Sequence, residues 1–335
     1  MRALVTGASG FIGQHLVGFL AKRGHAVRCL VRASSRLEGL EPHDPELVLG
    51  DVTDPESLRN AVRGVDVVYH LAGTLKAFTL HDFLAVNEEG TRALAEACAD
   101  RGQPPVCVLV SSAAASGPSP DGRARSEADP PAPVSDYGRS KLAGERAAAA
   151  FAARVPTSVV RPPIVFGPGD REFFKVFQLV ARGLHLVPTR ARRSFSLVHV
   201  ADLVRHLVQT AETGRRLAPE NGGGEAQGVY FAAADESPAY EELGVLVARA
   251  LGREDVRVVR TPELLSWVVG GVSDAWGRLR RSPSLVGIDK MREANAGSWV
   301  VSGARSREEL GFEPAASLAE RLRQTADWYR SEGWL

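Results

Sequence analysis

Residues 2–24 read RALVTGASGFIGQHLVGFLAKRG, and the glycines inside this stretch decide the class of fold. Ala3, Leu4 and Val5 form a compact aliphatic run that predicts a strand, and FIGQHLVGFLAKRG predicts a helix ending at Gly24. Between them lie Gly7, Gly10 and Gly13. A glycine-rich turn from strand into helix permits a tight bend, close backbone approach and a helix N-terminus aimed at a pyrophosphate. The spacing is GxxGxxG, one residue off the GxGxxG form. Glycine triplets arise by chance, but placed straight after an opening strand this one reads as a dinucleotide loop.

The chain beyond it repeats the same alternation. HAVRCLVR, ELVLGDV, VDVVYHLAG, VCVLVSS and TSVVRPPIVFG are further aliphatic runs, the last expected as one strand, with helical stretches PESLRNAVRG and NEEGTRALAEACADRG between them. Strands buried on both faces and alternating with helices predict an α/β fold, a Rossmann-type doubly wound parallel sheet. After about Gly167 the pattern turns mainly helical, which predicts a smaller C-terminal substrate domain. The expected division is a dinucleotide-binding domain over 1–166 with a return segment near 195–235, and a substrate-binding domain from 167–194 and 236–335. The Pro-rich stretch 118–134 reads as a loop near the site, and 212–228 as an exposed connection.

Composition narrows the functions available. The chain has 335 residues, 44% hydrophobic and 24% charged, in the range of a globular protein with ample core. A net charge of +1 gives no reason to expect nucleic acid or an anionic membrane as partner. Cys29, Cys98 and Cys107 are odd in number, with no CxxC pair and no cysteine–histidine spacing suited to zinc, so they read as reduced core thiols and no metal is expected. MRALVTGASG leaves no room for a signal peptide and no apolar run reaches membrane length, so the expectation is a soluble, cytoplasmic protein acting on a small molecule.

Three further patterns carry chemistry. In YGRSKLAGE, Tyr137 and Lys141 stand four residues apart, on one face of a helix. An ammonium beside a phenol favours the phenolate and would draw its pKa down from about 10, making an acid/base for neutral pH; the alternative is a surface pair on an amphipathic helix. Arg32 ends the second strand, where an acidic residue would grip the ribose of NAD, and an arginine suits a 2′-phosphate, so NADP(H) is favoured with NAD(H) possible. Asp51, the HLAG segment and Ser111 with Ser112 all end strands, the side on which open α/β sheets bind ligands.

TGASGFIG, GDVTD, HLAG, VNEEGT, VSSAAASG, YGRSKLAGE, RPPIVFGPGD and FSLVHVADL stand in one order over residues 1 to about 203. In this the chain resembles the extended short-chain dehydrogenase/reductases, the NAD-dependent epimerase/dehydratase family, with a weaker echo in its last 29 residues. The resemblance implies Tyr137 as catalytic acid/base, Lys141 as its partner and holder of the nicotinamide ribose, and Ser112 as the group positioning the substrate oxygen. It implies cofactor contacts at Gly7, Ser9, Gly10, Phe11, Ile12, Gly13, Arg32, Asp51, Val52, Leu71, Ala72 and Gly73, with Pro162, Ile164 and Val165 at the nicotinamide end. Asn87 matches a supporting asparagine, and a homodimer through roughly 87–101 and 137–154 is implied.

Within the family, nucleotide-sugar enzymes usually carry an arginine that pairs with the diphosphate. Aligned on Asp202, that position is Phe195, and Arg193 stands two residues early. FSLVHVADL is more similar to the branch of dihydroflavonol reductases and hydroxysteroid dehydrogenases, which implies interconversion of a ketone and a secondary alcohol on a fairly apolar molecule. The alternatives are a sugar-nucleotide epimerase or dehydratase with bound NAD, and a non-catalytic NADP-binding regulator. Thr74 and Ser112 are candidate substrate contacts. Phe173, Phe174 and Phe177 either line an apolar pocket with them or pack one helix face into the core, and Trp267 and Trp276 pose the same choice.

Overall fold

The computed structural model describes residues 1–120, 122–187, 191–219, 226–284 and 287–335; part of the expected connection at 212–228, residues 220–225, lies outside the described residues. The first half runs β1 (Arg2–Thr6), α1 (Phe11–Lys22), β2 (Ala26–Val31), β3 (Glu46–Leu49), α2 (Pro55–Ala61), β4 (Val67–His70), α3 (Leu80–Asn87), α4 (Glu89–Ala99), β5 (Val106–Val110), α5 (Ala113–Ser116), α6 (Asp136–Ala149) and β6 (Thr157–Arg161). The second runs β7 (Ile164–Phe166), α7 (Arg171–Ala181), β8 (Leu184–Val187), β9 (Leu197–His199), α8 (Val200–Thr213), β10 (Val229–Phe231), α9 (Tyr240–Ala250), β11 (Arg257–Arg260), α10 (Glu263–Leu279), α11 (Ile288–Asn295), α12 (Ala304–Leu310) and α13 (Leu318–Ser331).

Seven strands form one parallel sheet in the order β10-β6-β5-β4-β1-β2-β3. The chain leaves β1 toward β2 and returns to its other side as β4, so the switch point lies between β1 and β4, where a crevice opens beyond the strand C-termini. Both faces are covered. Leu16, Val17 and Leu20 of α1 meet Leu203, Leu207 and Val208 of α8 over one face, and Leu58, Ala61 and Leu94 cover the other. All three cysteines are buried and free, and Cys98 and Cys107, apart in sequence, meet with sulfurs 3.8 Å apart.

TSVVRPPIVFG is two strands rather than one. Pro162 and Pro163 supply no N–H and break the ladder after Arg161, so β6 stays in the main sheet while β7 pairs in parallel with β9. The Pro-rich loop is pinned by Arg125, which donates to the carbonyls of Pro118 and Pro130 at 2.8 and 2.9 Å.

The C-terminal elements have a core of their own, in which Phe166, Phe173, Phe177, Leu243, Leu322 and Tyr329 are buried together. This corrects the pocket reading of Phe173 and Phe174. Phe173 packs on Phe166 and Phe177 at 5.3 and 5.9 Å between ring centroids, and Phe174 on Tyr329 and Trp334 at 4.7 and 5.1 Å. Phe173 thus holds α7 to β7 and Phe174 holds it to α13, each aromatic pair adding about 0.5–1.5 kcal/mol beyond burial.

Helix α6 lies unusually close to its neighbours. A Cβ on Gly138 would stand 2.4 Å from the Ala114 carbonyl oxygen, and one on Gly144 2.3 Å from that of Asn87. Its next residue, Glu145, grips Arg161 of β6 through two hydrogen bonds of 2.9 and 2.6 Å, both side chains being buried. Gly144→Ala should therefore destabilise the protein by about 1–3 kcal/mol through overpacking, although in an open helix the same change gains about 1 kcal/mol. Urea unfolding at equilibrium tests this, and a neutral or stabilised variant would show that α6 is free to move outward.

Candidate active site

The site begins at the turn after β1. Gly7 sits at φ +70°, in the left-handed region, and a Cβ there would fall 2.7 Å from the Ala72 nitrogen. Gly13 turns its missing side chain toward the Gly7 carbonyl, 2.3 Å from where a Cβ would stand. The two glycines let the turn nest against the exit of β4 and against itself. Gly10 is the N-cap of α1 and no side chain caps that helix, so its first N–H groups face the crevice without a protein acceptor from a cap. A cradle of bare backbone at a helix N-terminus fits a dinucleotide pyrophosphate. His15 anchors the far side through the Pro168 carbonyl at 2.8 Å, with Phe11 edge-on to its ring.

The other predicted cofactor residues lie at the C-terminal ends of β2, β3, β4 and β6 or just beyond them. Arg32 is the first residue past β2 and is exposed, its backbone N–H donating to the Ser35 hydroxyl at 3.0 Å. Asp51 folds into a turn, accepting from the Thr53 N–H and hydroxyl at 2.9 and 2.8 Å, and Val52 is buried beside Gly90. Leu71, Ala72 and Gly73 leave β4 alongside the glycine turn, with the Ala72 N–H on the Thr6 hydroxyl at 3.2 Å. His70 itself belongs to the core: it bridges Thr6 and Thr91 at 2.7 and 3.1 Å, and burial lowers its pKa to about 3. Pro162 accepts from the Ala113 N–H at 2.9 Å, while Ile164 and Val165 begin β7.

Two adjacent serines leave β5 and part company. Ser111 is buried and donates to Glu145, completing the Glu145–Arg161 cluster. Ser112 caps α5, accepting from the Ala114 N–H at 3.1 Å, and its hydroxyl lies against Tyr137. Lys141, one turn along α6 from Tyr137, is buried and donates to the Val110 carbonyl at 2.8 Å. A Cβ on Gly73 would come 3.7 Å from its Nζ and 2.8 Å from Asn87 Oδ1, so that glycine keeps the space beside the ammonium open. Asn87 joins the loop to the helix: it accepts from the Thr74 N–H at 2.8 Å and donates to the Ser140 hydroxyl at 2.9 Å. The Thr74 hydroxyl is spent on the Lys76 carbonyl at 2.8 Å.

The acidity of Tyr137 runs opposite to the expectation from spacing. Burial pushes the Tyr137 phenol above its ordinary value, the Ser112 hydrogen bond pulls it back and the Glu293 charge raises it further. Burial also lowers Lys141 to about 8, against the Glu145 charge, which raises it. Desolvation therefore outweighs any pull of the ammonium on the phenol, and the tyrosine stands as a neutral O–H donor.

Sequence reasoning missed the residues that set the start of α6. Ser135 caps the helix, accepting from the Gly138 N–H at 2.9 Å and donating to Glu293 at 2.6 Å. The Asp289 carboxylate accepts from the N–H groups of Asp136 and Tyr137 at 2.7 and 3.1 Å. Both acids lie on α11, about 150 positions away, and no local pattern announces them. Arg193 is the other surprise. Buried, it donates to the Ala294 carbonyl and pairs with Glu263 at 2.7 Å, so its guanidinium is committed within the protein. Phe195 packs on Tyr240 at 5.6 Å.

Residues 3–221 match the model of the NAD dependent epimerase/dehydratase family. The chain is 35% identical over 331 residues to a ceramide reductase of Caulobacter vibrioides, covering 99% of this chain and 95% of that protein. It is 28% identical to a 3β-hydroxysteroid dehydrogenase/Δ5→4-isomerase of Mycobacterium tuberculosis, over 98% of this chain and 90% of that one. A UDP-glucose 4-epimerase of Thermotoga maritima shares the fold with a TM-score of 0.78 at 20% identity, over 99% of both chains. A match across most of the sheet, joined to a relative aligned almost end to end, leaves no doubt about descent: the chain belongs to the NAD dependent epimerase/dehydratase family, the extended short-chain dehydrogenase/reductases.

Proposed function

We propose that this oxidoreductase interconverts a ketone and a secondary alcohol on a lipid-like, fairly apolar molecule, using NADP(H). The observation that carries the reading is the convergence of Ser112, a neutral Tyr137 and the Lys141 ammonium where β4 and β5 leave the sheet, beside the glycine turn. When bound, the nicotinamide supplies or takes up the hydride at the carbon. The Ser112 hydroxyl would hold the substrate oxygen, and Tyr137 would give that oxygen its proton as the carbonyl is reduced. Water would then return a proton to the phenolate left behind. Lys141 and Asn87 position: the first would hold a positive charge toward the cofactor's ribose, and the second ties the Thr74 loop to α6.

The lipid-like substrate is supported by the relatives named a ceramide reductase and a hydroxysteroid dehydrogenase, and by the charges. A nucleotide sugar needs cations for its diphosphate, whereas Arg193 is tied to Glu263 and the neighbouring position is Phe195. The NADP preference is supported by Arg32, exposed at the end of β2 where a 2′-phosphate would lie. The dimer implied by the family would join the outer faces of α4 and α6 between two copies.

Three measurements test the reading. Tyr137→Phe should lower turnover of NADPH with an apolar ketone by about 10²–10⁴-fold, while nicotinamide fluorescence still reports NADPH binding; retained turnover would remove Tyr137 from the chemistry. Arg32→Ala should weaken NADPH binding by roughly 10- to 100-fold, the worth of a charge-assisted hydrogen bond, and leave NADH binding unchanged. Tighter binding of NADH by the unaltered protein would defeat the NADP assignment. Because Lys141 is lowered to about 8 and acts as a cation, kcat/KM for reduction should fall as pH rises through that value. Tyr137, shifted upward, keeps its proton there. A profile that stays flat well beyond that pH would mean the ammonium is not needed.

A further inference from the structure

Helix α10 is built inside out. At 3.6 residues per turn, Leu264, Val268, Val269, Val272, Trp276 and Leu279 share one arc of about 140°, and this arc faces solvent, with Leu264, Val272 and Leu279 exposed at 74, 65 and 75%. Gly270, Asp274 and Gly277 face the protein. A Cβ on Gly270 would stand 2.7 Å from Met291 Cγ and one on Gly277 2.9 Å from the Ser282 carbonyl oxygen. Asp274 accepts from the Ile288 N–H at 3.1 Å, and Glu263 pairs with Arg193 at 2.7 Å. A surface helix ordinarily turns the other way. Single exposed apolar residues need no explanation, but a continuous strip marks an interaction surface.

Charge identifies the occupant. Arg278, Arg280 and Arg281 are exposed at the end of α10, and among the described residues none of the three makes an ion pair. The Arg280 guanidinium lies 4.6 Å over the Trp276 ring, an amphipathic couple suited to the boundary between hydrocarbon and headgroups. Both acids of the helix, Glu263 and Asp274, are engaged on the protein side. A second copy of this face would bring only apolar and positive surface, whereas an anionic bilayer complements both. Among the described residues no helix is long and apolar enough to cross a membrane, so α10 would lie on the surface rather than span it.

We propose that α10 docks the enzyme on an anionic lipid bilayer, from which its substrate enters the crevice; the second part rests on the lipid-like substrate proposed above. The helix is placed for this. Its C-terminal turn reaches Phe78 in the loop after β4, with the Arg278 guanidinium 6.0 Å from that ring. Through Asp274 it starts α11, whose Asp289 binds the first N–H groups of α6.

The test is flotation of the full chain with phosphatidylcholine vesicles, with and without phosphatidylglycerol, alongside NADPH oxidation with a water-soluble ketone. The unaltered protein should float with the mixed vesicles and its tryptophan emission should shift to the blue, a shift lost in Trp276→Phe. Val272→Asp with Leu279→Asp should abolish flotation, and Arg278→Gln with Arg280→Gln and Arg281→Gln should weaken it on the order of tenfold or more. Both variants should retain the wild-type rate on the soluble ketone. Reduction of the ketone without flotation would overturn docking and leave the reductase reading standing; flotation without reduction would support docking and overturn the reductase. A dimer that Val272→Asp dissociates, with no flotation, would assign the face to a second copy and overturn the proposal.

Discussion

The chemistry depends on how closely α6 approaches the sheet, and that distance is set by backbone against backbone. Gly138 lies on the Ala114 carbonyl and Gly144 on that of Asn87, each with less room than a methyl group requires. Only from there does Lys141 reach the Val110 carbonyl and Glu145 reach Arg161 across β6. A side chain at either glycine would move the helix outward, and a displacement of about 1 Å at reacting groups is enough to cost about a hundredfold in rate. The buried ion pair is a second constraint of the same kind. Removing one partner would leave the other charge stranded at a cost of about 3–5 kcal/mol, so the pair fixes the position of the helix even where it adds little net stability.

The electrostatics of the site follow from that closeness. Drawing α6 onto the sheet buries Lys141 and leaves Tyr137 only partly exposed, and desolvation disfavours the charged form of each. The phenol goes up and the ammonium comes down. Glu293, hydrogen-bonded to the cap Ser135, adds negative charge that opposes a phenolate. The protein alone therefore keeps tyrosine as an acid, the form needed to protonate a carbonyl oxygen during reduction. A phenolate would need further positive charge near the phenol, and the oxidised nicotinamide carries one.

Much of the fold was legible because its signals are local. The glycine turn sits between a strand of five residues and a helix of twelve, and each buried parallel strand announces itself as an aliphatic run. What escaped depends on distant partners. β10 has only three residues and becomes a strand because it finds the edge of β6. Phe173 and Phe174 have the same periodicity whether they line a pocket or a core, and α13, some 150 residues later, decides. The YxxxK spacing places Tyr137 and Lys141 on one face but says nothing of the solvent left around them, so the direction of the tyrosine's shift was misread. Arg193 presents the same limit: its place in sequence suggests an available cation, and only its contact with Glu263 shows the charge already matched.

The placement of α10 and α11, which no local pattern carries, relates the outside of the molecule to its chemistry. A helix normally holds its place by burying an apolar face; the links of α10 among the described residues include glycine contacts, the Asp274 carboxylate on a backbone N–H and the Glu263–Arg193 ion pair. Such an arrangement gives up roughly 1.5–3 kcal/mol for each large apolar side chain left in water, and among the described residues α10 leaves eight at least partly there. A sequence tolerates that loss when another phase covers the face, and the polar links then have a use beyond attachment. They are directional, and they run from Asp274 to the start of α11 and from Asp289 to the start of α6. Seating α10 therefore orients α11, and α11 supplies the carboxylates that satisfy the N-terminus of the helix carrying Tyr137. The surface that would meet the lipid and the residue that would protonate the substrate are joined by hydrogen bonds of fixed geometry, which apolar packing could not have provided.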